Sequence, residues 1–305
     1  MVGREGHLTE MNQQQLERMR LGRGFIAALD QSGGSAPGAL ARYGIDVPTG
    51  ADDATTLDLM HQMRARIMAS PSFSSAHLLG AILFAGTLDR NVGGRGTADF
   101  LWNVRGIVPF VKIDVGLADE TDGVRLMKPI PDLSSLLERA RGQDVFGTKM
   151  RSVITRGAAS SIRSVVAQQF DVAREVMAAG LVPIIEPEVS IDNPDKDAAE
   201  HALGALVAEQ LDLLAFDQLV MLKLTLPTVD GLYDEFVEHP RVLRVAALSG
   251  GYDRDEATGR LARNHGMIAS FSRALTEGLD VHQSDDEFDA HLAASVAAIF
   301  DASIT

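Results

Sequence analysis

Eight charged side chains interrupt apolar, strand-like runs in this chain, and their spacing is the first sign of chemistry. Lys112 and Asp114 stand two apart in FVKID, Lys149 and Arg151 in GTKMRS, and Glu186 and Glu188 in PIIEPE. Lys223 in VMLKLT is in phase with Met221 and Thr225, opposite Leu222 and Leu224, and Asp30 ends the run FIAALD. Side chains alternate faces along a strand, so each pair presents both of its groups to one side. Charge avoids the middle of a buried strand unless it is paired or functional. Any one of these residues fits a strand-end charge reaching solvent, or a structural ion pair. Together, four acids, three lysines and an arginine describe a site.

The chemistry such a set supports is nucleophilic. A lysine crowded by other cations and partly desolvated loses basicity, and its neutral amine attacks carbonyls. Neighbouring carboxylates can then pass protons as an imine forms and a bond breaks. Two turns add places for anions. Ser249-Gly250-Gly251 lets backbone N–H groups approach closely, since glycine has no Cβ, and Ser272-Arg273 is expected to open a helix just beyond. Gln31-Ser32-Gly33-Gly34-Ser35 forms a second turn of the same kind. Lysine, paired acids and anion clamps together suggest a Schiff base with a phosphorylated carbonyl compound.

Other chemistries lack their residues. The chain has no cysteine, which excludes disulfides, iron–sulfur clusters, thiolate zinc sites and a cysteine nucleophile, and fits a reducing compartment. Asp58 with His61, Asp197 with His201, and Glu287 with His291 have helical spacing, but no further ligand joins them, and they read as solvated helix faces. None of the eight histidines forms HxH or HExxH, so no metal or other cofactor is expected. A net charge of −14 argues against nucleic acid or an anionic membrane as partner. No apolar run is long enough to span a bilayer, and the polar start MVGREGHLTEMNQQQ has no signal-peptide core. The expected setting is the cytoplasm. The expected partner is a small phosphorylated sugar.

Eight apolar, β-branched runs position these residues: Gly24–Leu29, Ala76–Phe84, Ile107–Asp114, Phe146–Val153, Leu181–Val189, Leu219–Leu226, Val242–Gly250 and Gly266–Ser272. Helix-period stretches separate them. Ser160–Gly180 sets Ile162, Val165, Val166, Phe170, Ala173, Val176 and Met177 on one face, and Asp195–Leu214 and Ser284–Phe300 follow the same pattern. Asp52-Asp53 and Asp285-Asp286-Glu287 suit helix starts. Strands alternating with helices predict an α/β fold with a parallel sheet, and eight of them predict a closed (β/α)8 TIM barrel. No composition shift divides the chain, so residues 1–305 are expected to form one domain. The charged strand ends then converge on the mouth of the barrel, and SGG with SR fall after strands seven and eight, where barrels often bind phosphate.

In order, ALDQSGGS, KID-GL, RLMKPI, GTKMRSV, PIIEPE, MLKLTLPT, VAALSGGY and ASFSRAL cover nearly the whole chain, and together they resemble class I fructose-bisphosphate aldolase in its shorter bacterial branch. The resemblance implies reversible cleavage of fructose 1,6-bisphosphate to dihydroxyacetone phosphate and glyceraldehyde 3-phosphate. It implies Lys223 as the Schiff-base lysine and Glu186 as the acid/base for carbinolamine loss and proton return. Asp30 would assist C3–C4 cleavage, and Lys149 would aid placement and proton transfer. Lys112, Arg151 and Glu188 would tune and orient the site. Ser249, Gly250 and Arg273, with the adjoining Gly251, would hold the phosphate retained on dihydroxyacetone phosphate, and Ser32 and Ser35 would face the other.

The chain departs from the family in four places. No tyrosine follows Tyr252, whereas vertebrate members end in one; Gln31 replaces an acid found in those members. Ala85 and Val115 stand near where the bacterial pattern leads one to expect a glutamate and a lysine. Ketose preference therefore stays open, with another phosphorylated ketose, a transaldolase-type transfer and a non-catalytic sugar-phosphate-binding protein as alternatives. A homo-oligomer is compatible with the sequence, which does not fix one.

Overall fold

The computed structural model describes residues 10–47 and 52–305, so the first nine residues of the polar N-terminal stretch lie outside the described residues. Eight parallel strands run in chain order around the sheet: β1 (Phe25–Leu29), β2 (Leu78–Phe84), β3 (Val108–Lys112), β4 (Gly147–Ile154), β5 (Val182–Val189), β6 (Val220–Thr225), β7 (Val242–Leu248) and β8 (Ile268–Ala269). Each matches one of the eight apolar runs. Ala28 N–H donates to Phe271 O at 3.2 Å, which joins the segment after β8 back to β1. The architecture is a (β/α)8 barrel.

Two apolar layers follow from strand alternation. Ile26, Leu79, Phe110, Ile184, Met221 and Ile268 point inward and pack on one another. Leu29, Val111, Ile185 and Leu222 point outward against the helices. Gly147 allows the inner layer to close: a Cβ there would lie 2.2 Å from Val182 O and 2.9 Å from the Phe110 ring. Helix α1 (Glu10–Leu21) plugs the N-terminal end, with Met19 buried in the inner layer. Arg244 fixes that plug by donating to the carbonyls of Met19, Arg20 and Gly22 at 2.7–2.9 Å, which satisfies the carbonyls at the helix end.

The outer helices used below are α2 (Ala36–Arg42), α3 (Asp53–Ala69), α4 (Leu133–Gly142), α5 (Ala159–Ala178), α6 (Lys196–Leu211), α7 (Arg254–Leu261) and α8 (Asp285–Ser303). Their starts follow local chemistry. Asp52 Oδ1 accepts from Thr55 N–H at 2.8 Å at the head of α3, and Ser284 with Glu287 forms a capping box on α8. Helix α5 buries Ile162, Val165, Val166, Phe170, Ala173 and Val176 as its period requires, and Gly180 ends the turn beyond it at φ +78°. Burying a side chain such as Phe170 stabilises the fold by about 1.5–3 kcal/mol.

Candidate active site

Strand register brings the charged residues together at the C-terminal end of the barrel. Lys149 on β4 pairs with Lys112 on β3 and Ile184 on β5, Arg151 pairs with Glu186, and Lys223 on β6 pairs with Ala246 on β7. Lys149 is the hub. Its Nζ lies 2.5 Å from Asp30 Oδ2, 3.0 Å from Glu186 Oε2 and 4.0 Å from Asp114 Oδ2. The other oxygen of the same glutamate, Oε1, lies 3.0 Å from Lys223 Nζ. Asp30, Asp114, Lys149, Glu186 and Lys223 are all buried.

Burial opposes every one of these charges, and their mutual attraction decides the outcome. Desolvation alone would raise the Asp30 carboxyl, but Lys149, Lys223 and Lys112 outweigh it and hold Asp30 well below the usual carboxylate range. Glu186 is likewise raised by burial yet lowered overall by Lys149 and Lys223, despite the repulsion of Asp30. Lys149 is pulled down by burial and then lifted well above an ordinary lysine by Asp30, Glu186 and Asp114. Its ammonium is thus surrounded by three carboxylates. Lys223 has a single carboxylate, Glu186, within 4.0 Å among the described residues.

Lys112 is fully engaged. Its ammonium meets Asp114 Oδ1 at 2.9 Å, the Asp114 carbonyl at 2.9 Å and Ser32 Oγ at 3.1 Å. Arg151 Nε donates to Glu188 Oε2 at 2.5 Å; burial lowers this guanidinium, but Glu188, with Glu186 and Asp114, outweighs it and raises the group. Asp114, given no role by the resemblance, belongs to the cluster, and its two-residue spacing from Lys112 was the visible signal. Gln169 on α5 also reaches it, accepting from the backbone N–H of Glu186 at 2.9 Å. A helix-face glutamine offers no signal in the sequence.

The expected anion sites form the rim. Ser249, Gly250 and Gly251 follow β7, with φ +63° at Gly250 and +131° at Gly251. A Cβ on Gly250 would lie 2.7 Å from Ile191 Cγ2, so the turn is built around the missing side chain. Arg273 is exposed at the start of a single helical turn, Arg273–Thr276, rather than a full helix. Ser32 is held by Lys112, whereas the Ser35 hydroxyl is spent on its own turn, donating to Ser32 O at 2.9 Å. Gln31 Nε2 donates to Ser272 Oγ, linking the turns after β1 and β8. Ala85 begins a short turn after β2 and Val115 is exposed beyond Asp114, so neither adds a polar group to the mouth.

The three acid–histidine pairs sit on outer helices and make local contacts: Asp58 with Arg90, His61 with Asn91 O, Asp197 with His201, Glu287 with Ser284 and His291 with Gln283. Among the described residues no three His, Cys, Asp or Glu side chains gather as a metal site, and no helix is long and apolar enough to cross a membrane.

Comparison with known proteins identifies the family. No protein-family model matches the sequence. Fructose-bisphosphate aldolase class 1 of Synechocystis sp. is 55% identical over 296 residues, covering 97% of this chain and 99% of that protein. The chain belongs to the class 1 fructose-bisphosphate aldolases. The class 1 aldolase of Porphyromonas gingivalis is 53% identical over 294 residues, 96% of this chain and 100% of that protein. The barrel itself is shared with a solved fructose-bisphosphate aldolase of Plasmodium falciparum, in complex with TRAP and a small-molecule inhibitor. That fold matches with a TM-score of 0.72 at 20% identity, over 97% of this chain and 95% of the other. As a class 1 aldolase, this chain is a carbon–carbon lyase that works without a metal.

Proposed function

We propose that the chain reversibly cleaves fructose 1,6-bisphosphate to dihydroxyacetone phosphate and glyceraldehyde 3-phosphate, with Lys223 as the Schiff-base nucleophile. The observation that carries this reading is the shared carboxylate: Glu186 meets Lys223 with one oxygen and Lys149 with the other, each at 3.0 Å. Before attack, Glu186 is the acceptor within reach of the Lys223 proton. The free amine adds to the C2 carbonyl, and Glu186 protonates the departing hydroxyl to leave an iminium ion and water. Asp30, kept ionised by its lysines, then takes the C4 hydroxyl proton as the C3–C4 bond breaks. Its electron pair flows into the iminium, glyceraldehyde 3-phosphate leaves, and an enamine remains. The proton taken by Asp30 passes through Lys149 to Glu186, which returns it to C3, and hydrolysis of the iminium then releases dihydroxyacetone phosphate and restores Lys223.

Lys149 steadies both carboxylates and the oxygens of the substrate, while Lys112, Arg151 and Glu188 hold the walls of the site. Ser249, Gly250, Gly251 and Arg273 take the phosphate retained on dihydroxyacetone phosphate, and Ser32 faces the other. Ser35 supports that turn through its backbone contacts. The reading takes residues 1–305 as one catalytic domain acting in the cytoplasm, supported by the absence of cysteine and the acidic composition. A cleavage assay with EDTA present, comparing fructose 1,6-bisphosphate with fructose 1-phosphate, tests it. Activity in EDTA with a higher kcat/KM for the bisphosphate is expected. Equal kcat/KM for the two would remove the second phosphate site, and loss of activity in EDTA would overturn the mechanism.

A further inference from the structure

We propose that Arg64, on the outer helix α3, is a positioning residue for the cleavage step: it locks the Asp30–Gln31–Ser32 turn from behind and keeps Asp30 seated on Lys149. The inference rests on the role given to Asp30 above. Arg64 is 1% exposed and, among the described residues, is the bulkiest side chain buried so completely. An arginine so deep is ordinarily matched by a carboxylate. None lies within 4.0 Å of it among the described residues. Its contacts run to the active-site turns instead. One terminal nitrogen donates to the Gln31 carbonyl, the other to Thr87 Oγ1 at 2.8 Å in the turn after β2, and the group stands 5.8 Å from the centre of the Phe84 ring.

The Gln31 carbonyl is one peptide from Asp30, so holding it fixes where the Asp30 side chain departs from the strand. Two further contacts grip the same turn, Gln31 to Ser272 and Lys112 to Ser32. Of the three, only Arg64 acts from outside the barrel. Packing alone would not require a guanidinium here: its Nε is buried without a partner, a penalty that leucine or methionine would avoid. Electrostatics points the same way. Burial lowers Arg64, to about 10 overall, against the upward pull of the Asp30 charge, so by reciprocity the guanidinium favours the ionised form of Asp30.

The test compares Arg64→Met and Arg64→Lys with Asp30→Asn in the full chain. Two readouts are taken: borohydride trapping of dihydroxyacetone phosphate on Lys223, and the pH profile of fructose 1,6-bisphosphate cleavage. Arg64→Met is expected to trap like the wild type while kcat falls about 100-fold, and the acid limb of its profile moves to higher pH. Arg64→Lys should recover part of the rate. Wild-type kcat and an unmoved acid limb in Arg64→Met, beside an impaired Asp30→Asn, would overturn the positioning role alone. Should Arg64→Met fail to fold, the same unmoved profile in Arg64→Lys overturns it. Normal cleavage by Asp30→Asn would remove the role of Asp30 and this inference with it.

Discussion

Lys149 and Lys223 are bridged by one carboxylate, with Glu186 Oε2 3.0 Å from the first ammonium and Oε1 3.0 Å from the second. The two lysines differ in what else surrounds them. Lys149 also meets Asp30 and Asp114, which favour its charged form, whereas among the described residues Glu186 is the single carboxylate within 4.0 Å of Lys223. The lysine proposed as nucleophile on β6 and its counterpart on β4 thus share one carboxylate and differ in their other acidic neighbours.

Replacing Glu186 by Gln keeps the shape but removes both the charge and the proton carrier. kcat should fall on the order of 10²–10⁴-fold, the usual contribution of general acid–base catalysis. Steady-state cleavage rates and the rate of borohydride trapping check this, and both should drop. An unchanged kcat would assign the proton transfers to another group.

The same cluster sets how stability depends on pH. Asp30 and Glu186 titrate below their ordinary 3.8 and 4.5 in the fold, so each stabilises it above those values and loses that contribution as pH falls toward its folded value. Lys149 titrates above its ordinary 10.5, so its contribution is complete below that pH and is lost as pH rises through its folded value. Urea unfolding should show a plateau between about pH 5 and about pH 9, with the midpoint falling on either side. A midpoint that rises on acidification from pH 5 would contradict this sign.

Gly250 stands at φ +63°, with Ile191 Cγ2 2.7 Å from where a Cβ would be. Gly250→Ala should raise KM for the bisphosphate about tenfold, as expected from roughly 1–3 kcal/mol of strain at the turn, with a smaller effect on kcat. Gly142→Ala at the end of α4, where a Cβ would meet nothing within 4 Å, is the control and should leave both constants unchanged.

Away from the site, Lys196 Nζ and Glu200 Oε1 form a 2.5 Å buried pair on α6. Lys196 also donates to Leu226 O, and Glu200 accepts from Thr228 N–H, which anchors the loop that follows Lys223. Lys196→Met strands a carboxylate that is 0% exposed and should destabilise the fold by about 3–5 kcal/mol in urea unfolding. The double variant Lys196→Met, Glu200→Leu should lose less, because no buried charge is left alone. Equal losses would mean that the loop contacts, rather than the stranded charge, account for the effect.

Period-two spacing made much of this site readable. Lys112 and Asp114 do pair, as do residues from different runs such as Arg151 and Glu188, because alternation fixes which face a side chain takes and parallel pairing aligns the strand ends. All eight strands were legible for the same reason, although the run Gly266–Ser272 keeps only Ile268–Ala269 as regular strand. Ser270 N–H still donates to Ala247 O beyond it, so the chain stays aligned while it turns toward the rim. What the spacing could not show depends on contacts between distant segments. Arg64 sits on a helix whose sequence looks like any solvated helix, and its role is visible only where α3 meets the β1 and β2 turns. Gln31 meets Ser272 only because the barrel closes. Ser35 and Arg273 were legible as turn residues, but their direction was not: one hydroxyl folds back on its own turn, and the guanidinium faces solvent.

Whether Lys223 is the nucleophile can be read from borohydride trapping. The enzyme is incubated with dihydroxyacetone phosphate and EDTA, reduced, digested and mapped by mass spectrometry. One reduced adduct is expected, on Lys223, absent without borohydride and absent in Lys223→Met. An adduct on Lys149 or Lys112 instead, or none from an enzyme that still cleaves its substrate, would contradict it.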